Sequence, residues 1–204
     1  MQELPFMDKK KTQRTYFYLA RHGQTHWNIA HRIQGQLDSP LTTVGQQQAK
    51  DLADACQVHQ ITKILTSSLG RAVETATICA QQLQLQQTTL KGIEERNFGL
   101  WEGKLTGEVQ RCTDYDEITS QVTDIAPPNG ESAAQLLMRF ETALKQQFTL
   151  MPCDNYLIIT HGDVLRCFMS QFLAQNEITT GYDYKNGHII SMCYDHSREQ
   201  FIPL

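Results

Sequence analysis

The chain predicts an α/β fold, a three-layer α/β/α sandwich around a mostly parallel central sheet. Short apolar runs that read as buried strands alternate with longer stretches whose apolar residues recur at helical spacing. That alternation implies parallel strands joined by crossover helices on both faces of the sheet. The 204 residues, 40% hydrophobic and 20% charged, also suffice for a core that needs no disulfide or metal support.

The elements follow in chain order. Residues 1–14, with Lys9-Lys10-Lys11, read as a polar, disordered lead-in. Residues 16–20 form a buried strand. Thr42 suits a helix cap, and residues 45–58 continue at helical spacing. Residues 63–66 predict a second strand, and residues 69–83 a helix opened by Ser67 or Ser68. Around 92–130 the periodicity fails among Gly92, Gly99, Gly103, Gly107, Pro127, Pro128 and Gly130. A long irregular insert in a compact domain is more often a lid than filler. Ser132-x-x-Gln135 is a capping box for a helix reaching about Leu150. Tyr156-Leu157-Ile158-Ile159-Thr160 predicts a buried strand, followed by a helix through Leu173 and a last strand over 189–194. Residues 15–204 thus read as one domain carrying an insert.

A net charge of −4 gives no basic surplus for nucleic acid or a membrane surface. No apolar run approaches the roughly twenty residues of a membrane span, and the first residues lack a long apolar leader, so a cytoplasmic location is expected. The six cysteines (Cys56, Cys79, Cys112, Cys153, Cys167, Cys193) are scattered without a Cys-x-x-Cys pair and read as free thiols. His22 and His26 have i,i+4 spacing, but no acidic or Cys ligand supports them, so no metal and no cofactor are expected.

Two histidines stand at equivalent places. Arg21-His22-Gly23 follows one apolar strand and Thr160-His161-Gly162 another. In open α/β sheets, ligands bind beyond the carboxyl ends of the strands. A third strand end leads through Ser67-Ser68 to Arg71 in the first turn of a helix, where free N–H groups favour anions. Two arginines and two histidines on one crevice suit a phosphate dianion: the guanidinium fork matches phosphate oxygens, and a neutral imidazole is a nucleophile.

The motifs then resemble one family. Arg21-His22-Gly23-Gln24-Thr25-x-Trp27-Asn28 and Arg32-x-Gln34-Gly35-x-x-Asp38-Ser39-Pro40-Leu41-Thr42-x-x-Gly45 come first. Ser67-Ser68-Leu69-x-Arg71-Ala72-x-Glu74-Thr75-Ala76, Glu95-x-x-Phe98-Gly99-x-Trp101-Glu102-Gly103, Gly130-Glu131-Ser132 and His161-Gly162 follow in order. The set is similar to the histidine phosphatases, the group that contains cofactor-dependent phosphoglycerate mutases and many phosphomonoesterases. The resemblance implies a phosphohistidine mechanism. By it, His22 is the nucleophile; Arg21, Arg71 and His161 clamp the phosphate; Asn28 donates a further hydrogen bond; and Glu95, rather than adjacent Glu94, protonates the leaving oxygen. Gln34 and Gly35 either touch the leaving group or form a turn.

Other readings stay open. Each histidine alone suits a satisfied strand end, and Arg71 can pair with Glu74 on an exposed face. Trp101 and Phe98 can be insert core or substrate stackers. Glu102 and Glu131 can be salt-bridge partners or part of the chemistry. Asp163, after His161-Gly162, is an unexpected carboxylate that either repels phosphate or orients Arg166.

The expected function is metal-independent hydrolysis of a small phosphate monoester. The 34–42 segment resembles the branch containing α-ribazole-5′-phosphate phosphatases of cobalamin synthesis, which makes α-ribazole 5′-phosphate the first substrate expected. A phosphoglycerate mutase-type phosphotransferase and a broad-specificity phosphatase are the alternatives, with a catalytically silent phospho-ligand binder as the non-enzymatic one. The short insert with few basic residues (Arg96, Lys104, Arg111) favours hydrolysis over the mutases, which are generally longer. The oligomeric state is left open, a homodimer included.

Overall fold

The computed structural model describes residues 14–152, 154–173, 180–181 and 183–204. The lysine run and Cys153 lie outside the described residues. Arg14, counted with the lead-in on sequence grounds, is already the first residue of strand β1 (Arg14–Arg21).

A four-residue helix α1 (His26–Ile29) follows β1, then helix α2 (Thr43–Cys56), capped by the Thr42 hydroxyl accepting from Gly45 N. Strand β2 (Lys63–Thr66), helix α3 (Gly70–Leu83) and the short strand β3 (Gln87–Thr89) come next. Beyond the insert lie helix α6 (Ala133–Leu150), strand β4 (Tyr156–Thr160), helix α7 (Gly162–Met169), and strands β5 (Ile189–Asp195) and β6 (Gln200–Pro203). The insert itself holds α4 (Thr106–Val109) and α5 (Tyr115–Ser120), so it is less irregular than its glycines suggest.

The strand order is β3-β2-β4-β1-β5-β6. The first four are parallel, with Phe17 opposite Tyr156 and Arg21 opposite Thr160, while β5 and β6 run antiparallel. Alternate residues of each strand face opposite layers. Tyr18, Ala20, Leu157 and Ile159 pack with Leu52 and Ala53 of α2 and Ala72 and Ala76 of α3. Phe17, Leu19, Tyr156 and Ile158 pack with Phe140, Leu144 and Phe148 of α6 and Leu165 and Phe168 of α7. The chain leaves neighbouring β1 and β4 toward opposite layers, and a crevice opens where such connections diverge.

The insert has a core of its own, Ile33, Trp101, Val109 and Ile118, with Phe98 and Tyr115 packed against it. No helix among the described residues is long and apolar enough to cross a membrane.

Candidate active site

Three adjacent strands, β2, β4 and β1, deliver the candidate residues at their carboxyl ends. His22 leaves β1 through Gly23. A Cβ at Gly23 would stand 2.3 Å from the Gly45 carbonyl oxygen of α2, so the turn and the helix close only over a glycine. Thr75 of α3 accepts from Gly23 N at 3.0 Å and ties the turn to a second helix.

His22 is buried, and its protonation pattern follows from its partners. Nδ1 lies 2.7 Å from the Gly23 carbonyl oxygen, which can only accept. Nε2 receives a hydrogen bond from Arg71 Nε at 3.2 Å, a group that can only donate. The proton therefore sits on Nδ1 and the lone pair on Nε2. Burial, then Arg71 and Arg21, push His22 well below the ordinary imidazole range, with the Gly23 carbonyl opposing. The ring is neutral, with the Nε2 lone pair unprotonated.

Arg71 is fully buried. Nη2 donates to the Gly35 carbonyl (2.7 Å), and Nη1 to the Leu37 carbonyl (2.8 Å) and to Asp38 Oδ1 (3.2 Å). The pairing with Glu74 is absent; Glu74 accepts from Leu41 N and Gln46 Nε2 instead. Gly35 thus seats Arg71. It has φ +52°, and any Cβ there would strike the Glu102 carboxylate.

Two sequence expectations need correction here. Neither Ser67 nor Ser68 caps α3, whose Ncap is Leu69. The Asp38 carboxylate, from a distant loop, accepts from both Gly70 N and Arg71 N. The helix end expected to attract an anion is therefore already filled by one. Ser67 Oγ instead lies 2.8 Å from His161 Nε2, and Ser68 donates to Glu94.

His161 is the Ncap residue of α7 and is fully buried, its ring centroid 5.3 Å from that of His22. Its Nδ1 is buried with no hydrogen-bond partner among the described residues. Burial, then Arg71 and His22, lower its pKa far below the usual range. Arg21 Nη1 donates to the Tyr184 carbonyl at 3.0 Å and the Gly181 carbonyl at 3.3 Å.

A cavity of about 530 Å³, its open mouth included, is lined by Arg21, His22, Asn28, Gln34, Gly35, Arg71 and Glu95. Seven of the eight residues singled out by sequence meet on its wall, and His161 sits beside His22 without lining it. Asn28 spends Oδ1 on Thr25 N, which leaves its NH₂ on the cavity side. Gln34 Oε1 is buried without a hydrogen-bond partner among the described residues.

Glu95 accepts at Oε1 from Arg96 N (2.8 Å) and at Oε2 from Asp163 N (3.3 Å). Burial, then Asp163, raise its pKa above the ordinary carboxylate value, against those amides and Arg71. Glu94 turns away to Gly92 N, Ser68 and Arg139. Asp163 pairs with Arg166 and Arg96, so it orients Arg166. Glu131 pairs with Arg139, and Glu102 accepts from Gln36 N and Phe98 N, which makes both structural. Trp101 belongs to the insert core, whereas Phe98 packs on that core and also lines the cavity.

No motif pointed to Arg139 of α6. It donates to the carbonyls of Gly92 (2.9 Å), Glu94 (2.8 Å) and Glu95 (3.0 Å), and so fixes the acid's main chain. Asp38 stood inside a motif without an assigned role, and the Gly181 and Tyr184 carbonyls carried no signal, because all three act through tertiary contact.

Residues 17–202 match the histidine phosphatase superfamily (branch 1), and the chain belongs to that superfamily. It is an enzyme of the histidine phosphatase class. Among its relatives, a protein of Proteus mirabilis (strain HI4320) named "Probable phosphoglycerate mutase GpmB" is 36% identical over 159 residues, 77% of this chain and 74% of that one. Its counterpart in Yersinia pestis (strain Pestoides F) is 37% identical over 161 residues, with the same two coverages. Among solved structures, Bacillus stearothermophilus YhfR superposes with a TM-score of 0.78 at 28% identity, over 93% of this chain and 95% of that one. A putative alpha-ribazole-5′-P phosphatase from Escherichia coli K-12 shares the fold at TM-score 0.72 and 21% identity, over 93% and 94% of the two chains.

Proposed function

We propose that the chain is a metal-independent phosphomonoester hydrolase working through a phosphohistidine on His22 Nε2. The observation that carries this reading is the unprotonated Nε2 of a neutral, buried imidazole, held by Arg71 in a cavity whose wall also bears Glu95.

In-line attack by Nε2 on phosphorus forms the N–P bond as the P–O bond to the leaving group breaks. Arg21 and Arg71 line the cavity and meet the charge on the equatorial oxygens, the Asn28 amide adds a donor, and His161, packed beside His22, completes the clamp. Such fixed donors act without reorganisation at the moment of reaction. Glu95, held protonated, gives its proton to the leaving oxygen; its carboxylate then takes a proton from the water that attacks the phosphohistidine. We read 15–204 as one domain in which the 92–130 insert is the lid that excludes bulk water.

For substrate, α-ribazole 5′-phosphate comes first. The 34–42 segment resembles that branch, Phe98 and Ile33 offer an apolar wall, and Gln34 Oε1 would accept from a hydroxyl or amide of the leaving group. A broad-specificity monoesterase fits the same wall. A mutase-type phosphotransferase is the second reading. It is favoured by the relatives' name and by Arg32, which lines the cavity while donating to the Gly103 carbonyl. A substrate panel run with chelator, with and without a bisphosphate primer, decides. Primer-independent phosphate release, with a radiolabelled phosphoryl group trapped on His22, supports hydrolysis. Primer-dependent isomerisation with little release overturns it.

A further inference from the structure

Two main-chain amides hold the Glu95 carboxyl group, one of them from Asp163. Amide donors favour an ionised carboxylate, the opposite of what a proton donor needs. The same residue that supplies one amide also brings a counteracting charge. Asp163 Oδ1 accepts from Arg166 Nε and Oδ2 from Arg96 Nη1 (3.3 Å), and both arginines are fully buried. The carboxylate is thereby anchored beside Glu95 on the wall of the same cavity.

Resting on the reading of Glu95 as proton donor, we propose that Asp163 is its positioning residue: the main-chain amide aims the carboxyl group, and the paired carboxylate opposes a second negative charge there. The proton stays on Glu95 until the leaving oxygen takes it as the P–O bond breaks.

Other titratable and charged groups lie around Glu95. Arg71 comes from α3, Arg21 and His22 from the end of β1, and His161 from the end of β4. Arg166 comes from α7, Arg139 reaches the Glu95 carbonyl from α6, and Glu94 and Arg96 flank it in the chain. Among these groups, burial first and Asp163 second still raise Glu95.

Asp163→Asn keeps the amide and removes the charge. The reading is kcat/KM from pH 4 to 9, which reports free-enzyme groups, for β-glycerophosphate and for p-nitrophenyl phosphate, whose phenolate leaves without an acid. The basic limb for β-glycerophosphate should move down by about one unit, near a tenfold loss on that limb, while p-nitrophenyl phosphate changes less than about threefold. An unmoved limb in the folded variant overturns the proposal and leaves Asp163 as mere neutraliser of two arginines. Should Asp163→Asn not fold, Asp163→Ser, which also keeps the amide and removes the charge, must show the same downward shift, and an unmoved limb there counts equally against it. Glu95→Gln separates the two readings: full retention of β-glycerophosphate hydrolysis removes the underlying role of Glu95, whatever Asp163 does.

Discussion

The two nitrogens of His22 have separate tasks, and the backbone assigns them. A carbonyl one residue away claims the Nδ1 proton, so the other nitrogen is left for chemistry. Arg71 meets that nitrogen and three acceptors at once, which a lysine cannot do from a single ammonium. Arg71→Lys should therefore lower kcat/KM about 10²–10³-fold, the cost of losing one preorganised donor. Steady-state kinetics beside a thermal melt check this, since a loss explained by unfolding would not count. The titrations also have a sign. In the proposed mechanism His22 reacts when neutral, and its pKa is held low, so the acid limb of kcat/KM should lie below about pH 6.5 once ionisation of the substrate is allowed for. In the same mechanism Glu95 reacts when protonated, and its pKa is raised, so the basic limb should lie above about pH 4.5. An acid limb above the ordinary imidazole range would contradict the buried placement of His22. At this scale the sequence was legible where a residue sits at a strand end or in the first turn of the helix that follows, as Arg21, His22, His161 and Arg71 do. It was silent where the partner comes from far along the chain, as with Asp38 on Gly70 and Arg139 on Glu95.

Elements differ in how plainly they announce themselves. Buried strands β1, β2, β4 and β5 are apolar and were readable. Edge strands β3 and β6 are short and carry Gln87, Thr88, Thr89 and Gln200, so no run distinguishes them from loop. The four-residue α1 and α4 are too short for periodicity to register. The cap of α6 shows the opposite case: the Ser132 hydroxyl accepts from Gln135 N, and the Gln135 side chain accepts from Ser132 N, as the spacing indicated. Ser132→Ala should cost about 1 kcal/mol. That is a Tm lower by about 2–4 °C for a chain of this size, with kcat unchanged. Calorimetry and an activity assay on the same preparation test it, and an unchanged Tm would mean that the cap is redundant with the packing of Phe140, Leu144 and Phe148.

For the whole molecule, burying two neutral histidines links folding to pH. The unfolded chain protonates both near pH 6.5, while the native state resists until their lowered pKa values are reached. Stability should therefore fall as pH drops below about 6.5, by about 1.4 kcal/mol per pH unit for each histidine. Glu95 acts the other way, because its raised pKa makes the native state hold a proton that the unfolded chain releases above about pH 4.5. Chemical denaturation of His161→Asn between pH 5 and 7 should show a slope shallower than the parent's by about 1.4 kcal/mol per unit. Equal slopes would mean that His161 protonates as readily folded as unfolded.

The grip of Arg139 on the carbonyls of Gly92, Glu94 and Glu95 has an evolutionary corollary. The proposed proton donor, Glu95, is aimed from helix α6 rather than from the insert that walls the leaving-group side. Natural selection can therefore redraw that wall, and with it the diet of the enzyme, while the reaction at the histidine stays as it was.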